Sequence, residues 1–258
     1  MVTAANGPTG DPVTPTADVP VRPAATVMLV KDTPSGLEVF VLRRVAGMAF
    51  AGGMTAFPGG AVDPADHDEP IDWAGPDPRW WAAQLGVAVT DARALVVAAV
   101  RELFEETGVL LAAPPAAGSH RMVTDDDRLD VLERRLNLPS VMARAGLRMR
   151  ADLLRPWANW ITPPGRARRY DTFFFAAAMP AGQHARMLTS EADLGQWRAP
   201  DVLLAEHEVG AVRLMPPTVA MLGDLAATGS VERVMSARRV ITPVRVRAPV
   251  DPPRAVWS

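Results

Sequence analysis

The chain has 258 residues, a formal net charge of −2, 48% hydrophobic and 22% charged residues, and no cysteine. A globule of this size buries enough apolar surface to stand without staples, and the absence of cysteine excludes disulfides, thiol nucleophiles and cysteine-bound zinc. The near-neutral charge argues against a nucleic-acid or anionic-membrane binder. The four histidines lack HxxxH or HxH spacing, which argues against a histidine-rich metal cage.

Residues 1–23 are rich in Pro, Thr, Gly and Ala and read as a disordered tail. Neither they nor any later stretch gives an uncharged apolar run of membrane-spanning length. The last residues, Val256-Trp257-Ser258, are not a peroxisomal address, so the expected location is cytoplasmic. Residues 24–30 and 37–45 are β-branched strands joined by the turn Thr33-Pro34-Ser35-Gly36. Residues 54–62 read as a third strand broken by Pro58-Gly59-Gly60. Residues 64–90, with Pro, Asp, Gly and three Trp, read as an inserted excursion. Thr90 or Asp91 can cap a helix over 91–107 that Gly108 ends. Residues 109–113 return as a strand, and two helices fit within 125–147, inside a helical insertion over about 114–150. Strands follow at 157–162, 168–179 and 193–200, then helices at 200–206 and 216–228, the last opening on proline. A domain over 24–242 with a tail at 243–258 is expected, and the mixed order fits α/β or α+β.

The informative segment is Arg101-Glu102-Leu103-Phe104-Glu105-Glu106-Thr107-Gly108-Val109. Glu102, Glu105 and Glu106 share one helical face in the last turns before Gly108. The C-terminal end of a helix carries partial negative charge, and like charges at i,i+4 repel, so three anions stand where local physics disfavours them. A solvated acidic face normally alternates sign and prefers the other end. A hard divalent cation resolves the conflict. Phe57-Pro58-Gly59-Gly60 adds two glycines after a strand, where a carbonyl can meet a metal or an amide a phosphate.

Together these residues resemble the Nudix hydrolase superfamily. Its box reads Gly, five residues, Glu, seven residues, then Arg-Glu-aliphatic-x-Glu-Glu-x-Gly-aliphatic. The second half is complete here from Arg101 to Val109. The first half runs from Gly60 to position 66, where Asp66 stands in place of Glu. Residues 67–100 fill the space of the seven, so the chain carries a long insert inside the box. That insert resembles the subgroup containing the peroxisomal coenzyme A diphosphohydrolases. So do Arg43-Arg44, Phe50 with Gly53, Trp160-Ile161-Thr162-Pro163, the run Arg169-Tyr170-Asp171-Thr172-Phe173-Phe174, and Pro216-Pro217-Thr218. The coenzyme A signature upstream of the glycines has Gly53 and Phe57 in place, with Ala49 where that signature has arginine.

The resemblance implies an α/β/α Nudix sandwich with a mixed sheet. It implies Mg²⁺- or Mn²⁺-dependent hydrolysis of a diphosphate linkage in a nucleoside diphosphate derivative. Coenzyme A or acyl-coenzyme A is the first candidate substrate; nucleotide sugars, dinucleotides and NADH-like compounds stay open. Glu102, Glu105 and Glu106 would form the metal shell with the Gly59 carbonyl, and Glu191 would join from a later loop. A helix cap or solvated loop is an equal reading of Glu191. Glu105, Glu102 and Arg101 are the catalytic candidates, with the choice of general base open and Arg101 orienting a glutamate. Arg43, Arg44, Gly60 and Arg169 are candidates for substrate contact, although a strand arginine more often pairs with an acid on the sheet surface. Tyr170, Phe174, Trp157 and Trp160 could stack on a base, with core packing favoured for the Phe and Trp residues. The four histidines read as solvated surface. The expected partner is a small molecule, with no nucleic acid and no membrane, and a homodimer stays open. The competing reading is a Nudix-fold nucleotide-binding or regulatory module without turnover. An isopentenyl diphosphate isomerase would want the cysteine this chain lacks.

Overall fold

The computed structural model describes residues 19–47, 51–68, 70–115 and 119–245. Residues 1–18 of the tail expected over 1–23, Ala49, Phe50 and residues 246–258 lie outside them. The first strand, β1 (Val21–Thr33), turns at 34–35 into β2 (Gly36–Arg44). Short strands β3 (Thr55–Ala56) and β4 (Gly59–Ala61) follow, split by Pro58, then α1 (Ala65–Asp68), β5 (Trp73–Ala74) and α2 (Pro78–Leu85). The long helix α3 (Val89–Thr107) leads to β6 (Ala112–Ala113), α4 (Asp125–Leu132), α5 (Leu138–Ala145) and β7 (Arg148–Arg150). After a 3₁₀ turn come β8 (Leu154–Ile161), β9 (Arg169–Ala178), β10 (Ala192–Arg198), α6 (Pro200–Glu208), α7 (Pro216–Thr228), α8 (Val231–Ser236) and β11 (Pro243–Arg245).

The main sheet runs β10-β2-β1-β9-β8-β11, with β3 on β2 and β4 on β1. It is mixed: β1 and β9 are parallel from Val21↔Arg169 to Val30↔Ala178, and β2 and β8 are antiparallel to them. The central strands are apolar on both faces, as a sheet covered on both sides requires. Ala25, Val27, Leu29, Phe173 and Phe175 face α3, while Met28, Val30, Phe174 and Ala176 face α6, α7 and α8. Three layers result, the expected α/β/α arrangement. Fully buried Trp81 anchors α2, meeting Phe175 at 5.9 Å and Trp80 at 5.0 Å.

Several expectations shift. β1 begins at Val21, three residues before the expected onset, because β9 offers a partner there. The expected tail at 243–258 opens with β11, parallel to β8 through Val244↔Trp160. Helix α8 went unforeseen; Ser230 caps it. Helix α3 starts at Val89 without a side-chain cap, so neither Thr90 nor Asp91 has that role. Its start follows from the left-handed Gly86 that ends α2 three residues earlier, at φ 69°. The two insertions are also joined. β7 pairs in parallel with β5 and antiparallel with β6, and Arg148 reaches back to Asp72 and to the carbonyl of Trp73. No single helix among the described residues is long and apolar enough to cross a membrane.

Candidate functional site

The acidic face of α3 is positioned by the sheet edge opposite it. β4 lies against the first half of β1, Ala25↔Gly60 and Thr26↔Gly59, so tightly that side chains are excluded. A Cβ on Gly59 would stand 2.5 Å from the Ala25 carbonyl oxygen, and one on Gly60 would overlap the carboxylate of Glu102. The glycine pair therefore brings backbone directly onto the helix. The Gly59 amide donates to Glu106 Oε2 at 3.0 Å.

Arg101 gathers the rest. Its Nε and Nη2 both reach Asp66 at 2.9 Å, its Nη1 reaches Glu102 at 2.7 Å and Glu105 at 3.3 Å, and Nη2 also meets the carbonyl of Ala61. The long excursion after Asp66 thus leaves and returns, so that Asp66 and Arg101 meet across it. Asp66 is 2% exposed and acts as the fork's counterion. Burial works against the charge of Arg101, but Asp66, Glu102 and Glu105 outweigh it and hold the guanidinium charged.

The glutamates pay the electrostatic penalty. Burial pushes Glu106 up to about 8, the neighbouring Glu102 adds to the shift, and the Gly59 amide opposes it. Burial pushes Glu102 up to about 7 against the pull of Arg101, and burial likewise raises Glu105. Glu191 enters from the strand edge: Arg44 Nη2 holds its Oε2 at 3.1 Å, and Glu106, Glu191 and Arg44 line a common cavity of about 10 Å³. Arg44 Nε is buried with no hydrogen-bond partner. Five carboxylates, Asp66, Glu102, Glu105, Glu106 and Glu191, thus face two guanidinium groups, Arg101 and Arg44. All the donors are hard oxygens, and the excess negative charge fits a divalent cation. Among the described residues no three acids already converge as a ligand set; Glu102 and Glu105 are turned onto Arg101.

Of the candidate residues, the structure brings together Arg101, Glu102, Glu105, Glu106, Gly59, Gly60, Glu191 and Arg44. It does not bring in Arg43 or Arg169. Strand alternation puts Arg43 on the opposite face from Arg44, where its Nε pairs with Asp193 at 2.7 Å. Arg169 is buried at the far end of β9, pairs with Val21, and holds the carbonyls of Thr162 and Val19. That is five residues, about 16 Å at ~3.3 Å each, from the Gly59 register. Trp157 and Phe174 are core, Trp157 donating to Asp224 under Arg239. Tyr170 and Trp160 are half-buried on the same two strands, β9 and β8. His67, His120 and His184 are exposed, whereas His207 is half-buried on the carbonyl of Val212. Sequence reasoning missed Arg128, whose Nη1 meets the Glu105 carbonyl at 3.0 Å; nothing in its local sequence marks it.

A family model described as the NUDT19 Nudix domain matches residues 76–225. The acyl-coenzyme A diphosphatase NUDT19 of Xenopus laevis is 24% identical over 80% of this chain and 64% of its own length. That of Gallus gallus is 27% identical over 76% and 65%. This chain therefore spans about two thirds of those relatives at most. A crystal structure of a NUDIX hydrolase from Alicyclobacillus acidocaldarius superposes with a TM-score of 0.70 at 29% identity, covering 86% of this chain and 98% of that one.

Proposed function

The chain belongs to the Nudix hydrolase family through its NUDT19-type Nudix domain, and on that premise we propose that it hydrolyses the diphosphate linkage of coenzyme A or an acyl-coenzyme A. The observation that carries the reading is the buried surplus of carboxylate on α3, with Glu106 pinned to the Gly59 amide. The names of the relatives, acyl-coenzyme A diphosphatases, support the substrate class. Nudix hydrolases generally use divalent metal ions, and Mg²⁺ or Mn²⁺ is proposed here.

Glu102, Glu105 and Glu106 would hold the cation, with the Gly59 carbonyl and Glu191 as further oxygens. The cation would supply positive charge against the phosphate and would lower the pKa of water held there. Arg101 fixes the rotamers of Glu102 and Glu105, so their carboxylates are presented from a rigid helix. Arg44 keeps Glu191 beside Glu106. One of Glu102 and Glu105 takes the proton from the attacking water as its oxygen bonds to phosphorus and the bridging P–O bond breaks. The products from coenzyme A would be adenosine 3′,5′-bisphosphate and 4′-phosphopantetheine.

The alternative is a nucleotide-binding module without turnover. Purified protein with Mg²⁺ or Mn²⁺ decides between them. The panel is coenzyme A, acyl-coenzyme A, NADH, ADP-ribose, nucleotide sugars and nucleoside triphosphates. Release of the bisphosphate from coenzyme A, lost in Glu106→Gln, is the expected result. Binding of panel members without cleavage of any would overturn the enzyme reading.

A further inference from the structure

The last four carbonyls of a helix need partners from outside its regular ladder, and α3 accounts for each of them. The Phe104 carbonyl accepts from the Gly108 amide, that of Glu106 from the Leu188 amide, and that of Thr107 from the Arg186 amide. The Glu105 carbonyl is different. The amide that would otherwise serve it, Val109, donates instead to the Thr107 hydroxyl. Its partner is a side chain, Arg128 of α4, at 3.0 Å.

Arg128 is an unusual residue to find there. Its side chain is 7% exposed, and its closest carboxylate oxygen, on Asp125, is 4.0 Å away. Nε has no hydrogen-bond partner. A buried cation with so little direct pairing is costly unless a negative field surrounds it. The field is the C-terminal end of α3, loaded with Glu102, Glu105 and Glu106. The same Nη1 also donates to the Leu188 carbonyl at 3.2 Å. Leu188 lies three residues before Glu191, so one guanidinium joins the end of the acidic helix to the segment that delivers the later acid.

We infer that Arg128 is a positioning residue for the acidic site: through two carbonyls it sets the distance between Glu105–Glu106 on α3 and the 188–191 segment. The helical insertion is thereby part of the site's scaffold. The inference rests on the proposed metal-dependent hydrolysis.

The test is direct Mn²⁺ binding, read from the spectroscopic signal of free Mn²⁺, on wild type, Arg128→Met, Arg128→Lys and Arg121→Ala. Arg121→Ala removes the partner of Asp127 in the same helix and controls for loosening of α4 alone. Arg128→Met is expected to weaken Mn²⁺ binding roughly ten- to hundredfold, as loss of a group that orients ligands does. Arg128→Lys, which keeps the charge and can reach one carbonyl, is expected to recover part of that loss. Arg121→Ala is expected to lower the melting temperature and leave Mn²⁺ binding at the wild-type value. Should Arg128→Met not fold, the lysine variant against Arg121→Ala carries the comparison. Wild-type Mn²⁺ binding in Arg128→Lys and Arg128→Met overturns the inference, as does an equal loss in Arg121→Ala. A wild-type protein that binds no Mn²⁺ takes down the proposed function itself, and the inference with it.

Discussion

Two acidic triplets sit in helices that touch, and they have opposite fates. Asp125, Asp126 and Asp127 occupy the first turn of α4, where the helix field favours anions. Thr124 and Asp127 form a reciprocal cap, and Arg121 grips Asp127 with two hydrogen bonds, at 2.7 and 2.6 Å. The Arg121 fork first, and the Thr124 amide and hydroxyl after it, hold the Asp127 carboxyl well below the usual range. Glu102, Glu105 and Glu106 occupy the last turns of α3, where the field opposes them, and burial pushes all three up. The first triplet is satisfied by its own fold. The second keeps unspent negative charge, which is what a site for an external cation requires.

Breaking the unsatisfied triplet has the largest expected effect. Glu106→Gln should cut turnover roughly a thousandfold, the range for loss of a group essential to the chemistry. It should leave the melting temperature unchanged or raised, since a buried like charge disappears; a melting scan beside a steady-state assay checks both. Arg101→Met should come next, destabilising the fold by roughly 3–5 kcal/mol because Asp66 is left buried and unpaired. Urea unfolding at neutral pH measures it. Asp127→Ala should cost about 2 kcal/mol, through loss of the cap and the Arg121 fork. The same denaturation curve should show a lower midpoint with an unchanged slope.

The smallest effect is the most discriminating, because the triplets should titrate in opposite senses. Asp127 has a depressed folded pKa, so its contribution is present above the unfolded value of ~3.9 and is lost as pH falls below it. Glu102 and Glu106 have raised folded values, about 7 and about 8. The metal-free fold therefore takes up protons there, and stability should decline as pH rises from ~4.3 through those values. Melting temperatures from pH 3 to 9 should peak on the acid side of neutrality, and Glu106→Gln should flatten the alkaline limb. Divalent cation affinity should rise over the same interval.

Much of this was legible in the chain itself. The Arg101–Val109 run announced the helix and its end, and its carboxylate face at the helix's negative end conflicts with local physics and demands a reason. Gly59-Gly60 announced close backbone approach, and Pro216 placed the start of α7 to the residue. What stayed hidden depended on partners distant in sequence. Val21 and Val244 look like tail residues until β9 and β8 are beside them. Arg43 and Arg44 look alike, and only the face assignment of β2 sends one to Glu191 and the other to Asp193. The two insertions read as separate excursions because β5, β6 and β7 are two or three residues each, too short to leave a periodic signal.

The position of β11 has a practical corollary for handling the molecule. It is the outermost strand on one side of the main sheet, and β10, which follows Glu191, is outermost on the other. Five strand spacings of ~4.8 Å put the two margins roughly 24 Å apart. A fluorophore or surface tether attached at the exposed Arg245 would therefore sit on the side away from the carboxylates. A reporter attached there should record binding without crowding the ligand.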